Sequence, residues 1–154
     1  MNHSYSCMRS LLIKMLCSIS AMLFLSSIAA PVLETFRMPQ ANIICYCLRY
    51  ICHQIPSRCL WILDSNMGLC TRCFGIYLSF FICMIAAFFR ILHCSRKFII
   101  FGVFLLFPLL IDGVIATTTH YTSNNLLRVA TGMLFGFGSG LLVSSLKQNG
   151  GKND

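Results

Sequence analysis

Four long apolar stretches set the terms on which this chain can fold. Leu11–Ala30 carries one charge, Lys14; Phe74–Phe89 carries none and continues through Ile91 and Leu92; Phe98–Thr119 carries only Asp112; Val129–Leu146 carries none. A helix of about 20 apolar residues crosses the hydrocarbon of a bilayer, so each stretch predicts one span. A soluble bundle of four core helices is the competing solution, but each of its helices would need a polar face, and none of these stretches has one. Hydrophobic residues make up 57% of the 154 and charged residues 10%, too little polar surface to cover an apolar core. The expected fold is all-α, a polytopic integral membrane protein with about four transmembrane helices.

The first stretch allows two readings. MRSLLIKMLCSISAMLFLSSIAAP has the basic start, apolar middle and small residues (Ser27, Ala29) of a secretory signal. Its length and Pro31 favour an uncleaved helix, and both readings leave the next loop on the same side. Residues 1–39 thus form an amino-terminal segment with the first span, residues 40–146 the main membrane domain, and residues 147–154, KQNGGKND, a disordered tail. Between the first two spans, ANIICYCLRYICHQ predicts a short interfacial or re-entrant helix broken by Pro56, and DSNMG, residues 64–68, predicts a turn.

A formal charge of +8 raises the question of nucleic acid. The basic residues are scattered between apolar runs with no basic face and no RNA-reading motif, so no nucleic-acid partner is expected. Charges at the ends of membrane helices account for them better. With the amino terminus inside, Arg9, Lys14, Arg90, Arg96, Lys97, Lys147 and Lys152 face the cytoplasm, against Arg37, Arg49, Arg58, Arg72 and Arg128 outside. That bias, with the dense RILHCSRK turn inside, places the chain in the cell (inner) membrane with the loop before the second span extracytoplasmic.

Alternation has a consequence that does not depend on orientation. The CHQIPSRC and CTRC stretches precede the second span and HYTSNNLLR precedes the fourth, so both lie at one membrane face. Asp112 lies about 21 Å along its helix at 1.5 Å per residue, toward that face. Cys52, His53, Arg58, Cys70, Arg72, Cys73, Asp112, His120, Asn124, Asn125 and Arg128 can therefore converge.

Cys52, His53, Cys70 and Cys73 offer three thiolates and an imidazole, a set suited to tetrahedral zinc, though adjacent Cys52 and His53 are awkward joint ligands. With three ligands, the fourth position stays open. The same thiols also suit a disulfide or redox pair: Cys70 and Cys73 form a C-x-x-C with Arg72 between them, and Cys52 could staple the loop to either. Covalent haem attachment is excluded, because Phe74 stands where the His of C-x-x-C-H belongs. Neighbouring side chains on an extended segment point apart, which argues against a Cys52–His53 nucleophilic pair. Asp112, a carboxylate inside a span, is a functional candidate by default, paired with Arg128 or Arg72 or facing a cavity. Arg58, Arg72, Asp112, Asn124, Asn125 and Arg128 are the candidate ligand-binding residues; planar guanidinium donors suit phosphate or carboxylate, with a lipid headgroup the natural ligand at that depth. The asparagines have a second role open to them, holding their loop and capping the next helix.

In the last span Gly132, Gly136 and Gly140 share one helical face. Small residues at that spacing let membrane helices approach closely, within the chain or toward a homodimer or other membrane-protein partner.

CHQIPSR, CTRCFGIY, IDG and SNNLLRVATGMLFG, in that order from Ile44 to Leu142, resemble an uncharacterised family of small bacterial and archaeal membrane proteins, a domain of unknown function. The resemblance implies a membrane fold and a motif set but no established activity. It also implies that Cys59, where that family usually has Ser, lies outside any shared site. The expected function is a Cys/His/Arg site at one membrane face, a zinc or thiol-redox centre handling a small or lipid-borne anionic group. The alternatives are a transporter or channel subunit, with Asp112 and the arginines lining a path, and a structural or accessory protein whose cysteines staple a loop.

Overall fold

A computed structural model describes residues 2–62, 65–89, 96–119 and 124–145, with side chains from Leu11 onward apart from that of Arg96. Five helices and a two-stranded hairpin appear in it: α1 (Asn2–Thr35), α2 (Gln40–Arg49), β1 (Cys59–Ile62), β2 (Ser65–Cys70), α3 (Thr71–Phe88), α4 (Arg96–Thr118) and α5 (Asn125–Ser145). Four of them, α1, α3, α4 and α5, are long and apolar enough to cross a membrane, with spans of 25, 18, 22 and 21 residues. The all-α, polytopic expectation holds. Pro31 lies inside α1, where it forgoes one backbone donor; Thr35 Oγ1 donates to the Pro31 carbonyl at 2.9 Å.

The helices pack in the order α1, α3, α5, α4. Glycines determine how closely. A Cβ on Gly132 would strike the Arg72 carbonyl, one on Gly136 the Ile76 carbonyl and Ser79 Oγ, and one on Gly140 would sit 2.7 Å from Cys83 Cβ. Residue numbers rise together along this seam, so α3 and α5 run parallel. The glycine face of α5 is thus used inside the chain, against α3, which is the close approach small residues permit in a bilayer. Gly102 and Gly138 face each other's carbonyls, joining α4 to α5. On the far side of α3, Phe24 of α1 stacks near Phe74 and Phe81, with ring centroids at 5.4 and 6.5 Å. The starts of α3 and α5 and the ends of α1 and α4 consequently share one end of the bundle.

The connection between α1 and α3 differs from expectation in two places. The helix in this segment ends at Arg49, capped by Tyr50, well before Pro56, which instead opens a 3-10 turn at Pro56–Arg58. Beyond Cys52 the chain turns at Gln54, which takes a positive φ of 48° and bonds through its side chain to Gly68 of β2. Ser65–Gly68, expected within a turn, belongs to β2, which pairs antiparallel with β1 through Cys59↔Cys70, Trp61↔Asn66 and Ile62↔Ser65. Backbone pairing overrode the turn preference of Asn66 and Gly68; Asp64 lies outside the described residues. Helix α2 buries Ala41 and Leu48 and leaves Ile43 and Tyr46 exposed, with its cap Tyr50 exposed beside them. Residues 146–154, including the expected tail, and the RILHC turn also lie outside the described residues.

Candidate functional site

Three cysteines meet where α2, β2 and α3 join. The sulfurs of Cys52, Cys70 and Cys73 all lie within 4.8 Å of one another. Each arrives by a different route. Cys52 follows α2 on the early turn, Cys70 ends β2 at the N-cap of α3, and Cys73 stands in the first turn of that helix. Apolar groups wall the pocket: Leu48 and Leu69 are buried with Cys52, and Leu23, Ile44 and Tyr77 pack around them.

Gln54 and Cys70 set the chemistry of Cys52, which is only 4% exposed. The Cys70 backbone N–H donates to Cys52 Sγ at 3.3 Å, and the Gln54 backbone adds a second bond. Hydrogen bonds from the Cys70 and then the Cys73 thiols, helped by these backbone donors, hold the Cys52 thiol far below the ordinary range, at about 2. The hydrogen bond to Cys52 pushes the Cys70 thiol up in turn. Cys52 is thus the most readily ionised of the three thiols. Cys59, the cross-strand partner of Cys70, lies outside the group of three, and burial raises its thiol to about 11.

Sequence reasoning overlooked Gln54. Its side-chain amide donates to the carbonyls of Cys45 at 2.9 Å and Gly68 at 2.8 Å, fastening the Cys52 turn to α2 and β2 together. The signal was present, since CHQIP puts one amide in an apolar stretch, but its partners are distant in sequence. Thr71, also overlooked, is fully buried and donates through Oγ1 to the Arg58 carbonyl at 3.1 Å.

His53 does not join the thiols; it is exposed and outside the group. Cys52, its neighbour, is buried instead, its N–H bonded to the Leu48 carbonyl at 2.9 Å. The charged residues gather on the opposite flank of α3. Arg72 pairs with Asp112 of α4, and Asp112 and Arg128 are 6% and 5% exposed. Arg58, Arg72 and Asp112 all act electrostatically on Arg128. Asn124 accepts the Arg128 backbone N–H at its carbonyl, 3.1 Å away, starting α5, and Asn125 is the first residue of that helix. His120 lies outside the described residues.

The family described as "predicted membrane protein (DUF2085)" matches residues 52–142. The chain belongs to that family. An uncharacterised protein of Methanothermobacter thermautotrophicus is 34% identical over 104 residues, 68% of this chain and 94% of the relative. An uncharacterised protein of Methanocaldococcus jannaschii is 34% identical over 91 residues, 56% of this chain and 57% of the relative. No solved structure matches. The matched region begins at Cys52 itself and takes in the thiol group, the arginines and Asp112.

Proposed function

We propose that Cys52, Cys70 and Cys73 form a zinc centre at one face of the membrane. The observation that carries this reading is the approach of three sulfurs within 4.8 Å in an apolar pocket. Sulfurs bound at about 2.3 Å in a tetrahedron stand roughly 3.8 Å apart, so modest side-chain adjustment closes the group on an ion. A buried thiolate without a cation is costly, whereas a soft divalent ion neutralises it and draws off the remaining thiol protons. Among the described residues no fourth Cys, His, Asp or Glu joins the group. Zinc held by three protein ligands would supply Lewis acidity at an open position, and the neighbouring arginines favour an anionic group there or nearby. The site face is proposed to be extracytoplasmic, which thiol labelling from each side of a sealed vesicle tests.

Metal analysis of detergent-purified protein tests the centre. About one zinc per chain is expected, lost in Cys73→Ser and retained in Cys59→Ser. Protein that refuses zinc at micromolar concentration would sink the reading.

A second reading has its own observation. Cys70 at the N-cap and Cys73 in the first turn of α3 form a C-x-x-C at a helix amino terminus, and Cys52, whose thiol is held low, is a ready nucleophile beside them. In that case the three thiols form a redox centre, and mass mapping of the metal-free protein would find Cys52 linked to Cys70 or Cys73.

A further inference from the structure

The thiol pocket occupies the α2 flank of the first turn of α3. The opposite flank, toward α5 and α4, carries a separate group of charges. Arg72 reaches Asp112 there. The Gly75 position meets the Val129 carbonyl, and Gly132 meets that of Arg72, so the opening turns of α3 and α5 lie against each other. This brings in Arg128, whose side chain is buried. The Thr71–Arg58 bond fastens Arg58 to the same turn, with its side chain exposed.

Arg58, Arg72 and Asp112 all act electrostatically on Arg128, and the one carboxylate among them is held by Arg72. The other described acid, Glu34, lies at the end of α1, where it acts on Cys45. Among the described residues guanidiniums outnumber carboxylates in this group, which favours an anion. Two features sharpen the preference for an anion. The parallel packing of α3 and α5 directs two helix amino termini, each a partial positive charge, at the same spot. Arg72 also keeps a buried donor, Nε, with no hydrogen-bond partner.

We propose that Arg58, Arg72 and Arg128, with the first turns of α3 and α5, bind a phosphate group. Guanidinium forks match the oxygens of a phosphate in pairs. Asp112 orients Arg72 and leaves its other donors for the ligand. Depth fits this chemistry. The 18 residues of α3 span about 27 Å at 1.5 Å per residue, short of a hydrocarbon layer of roughly 30 Å. Its first turn therefore stands at the edge of the hydrocarbon, from which long arginine side chains reach outward to lipid or aqueous phosphate. The site stands on its own residues and does not require metal in the thiol pocket.

The test uses full-length protein in dodecyl maltoside, stripped of lipid. One arm titrates inorganic phosphate against chloride of equal ionic strength. The other adds phosphatidylglycerol in mixed micelles, with diacylglycerol as the uncharged control. Calorimetry and melting temperature are read together. Saturable binding in either arm is expected, weakened about tenfold in Arg58→Gln, whose exposed side chain can change without disturbing packing. The arm that binds identifies the source, headgroup or free anion. Cys73→Ser is expected to bind as the unaltered chain does. Absence of binding in both arms, equal binding by Arg58→Gln and Arg128→Lys, or loss of binding in Cys73→Ser would each overturn the proposal.

Discussion

The side-chain amide of Gln54 donates to the carbonyl of Gly68 at 2.8 Å, across fourteen residues of chain. With its second bond, to Cys45 at 2.9 Å, it holds the Cys52 turn in the one place from which that sulfur meets Cys70 and Cys73. Gly68 itself is enclosed: a Cβ there would lie 2.6 Å from Leu48 Cδ1 and 3.3 Å from Ala30 Cβ. The thiol group is thus assembled by a clamp of backbone carbonyls that contains no thiol.

That clamp makes Gln54 a positioning residue for the proposed centre. Gln54→Ala leaves all three sulfurs in place chemically but frees the turn that carries one of them. Zinc affinity should fall about 10–100-fold, the usual cost of losing an outer-shell partner. Competition with a chromophoric chelator measures it. Gln54→Glu, which keeps the length but cannot donate, should resemble Ala; an affinity unchanged in both variants would remove Gln54 from the site.

The depressed Cys52 thiol predicts a pH dependence for the metal-free protein. Its folded value, about 2, lies below the ordinary 9, so the folded state holds a thiolate where the unfolded chain holds a thiol. The resulting stability is full above about pH 9 and drains away as pH falls toward 2, by at most about 1.4 kcal/mol per pH unit for one proton. In the presence of chelator, the melting-temperature gap between the unaltered chain and Cys52→Ser should therefore widen from pH 5 to pH 8. A flat or narrowing gap would contradict the thiolate assignment. Cys59, raised to about 11, acts with the opposite sign: its contribution is complete below about pH 9 and is lost as pH rises through 11.

Much of this was readable from residue order, and the limits have physical causes. Runs such as Phe98–Thr119 announce helices because bilayer thickness imposes a length that composition reveals. Alternation of spans then brought Cys52, Cys70, Arg72, Asp112 and Arg128 to one end without any knowledge of packing. That Arg72 reaches Asp112 was one of two pairings the residue order left open, because it depends on how α3, α4 and α5 pack. The β1–β2 hairpin was hidden for a related reason: SNMGLC lacks the alternation of a half-buried strand, and its pairing with Cys59–Ile62 is a tertiary outcome. His53 looked like a ligand by residue type, but its side chain is exposed and outside the group of thiols.

The Arg72–Asp112 pair joins α3 to α4 with the carboxylate almost fully buried. Removing one partner strands the other charge, so Asp112→Asn should destabilise the protein by about 3–5 kcal/mol in denaturant unfolding from micelles. Arg72→Gln combined with Asp112→Asn should cost less than the sum of the single changes, with a coupling of about 0.5–3 kcal/mol. Additive single effects would show that the pair contributes nothing of its own.

The parallel seam between α3 and α5 gives the sharpest packing prediction, because two glycines on this bundle differ only in what surrounds them. A Cβ at Gly136 would meet the Ile76 carbonyl and Ser79 Oγ, whereas one at Gly113 meets nothing within 4 Å. Backbone cannot rotate aside as a side chain does, so Gly136→Ala must push α5 off α3, and with it Arg128 off Arg72. Destabilisation of about 1–3 kcal/mol is expected, the range for overpacking. Gly113→Ala should be neutral or stabilise slightly, since alanine is favoured over glycine in a helix by about 1 kcal/mol. Thermal unfolding of both variants in the same detergent decides the matter. Because Gly136 lies one turn beyond Gly132 and the Arg72 carbonyl, Gly136→Ala should also weaken phosphate binding, while Gly113→Ala leaves it intact. Equal stability in the two variants would mean that α3 and α5 are not packed along the glycine face.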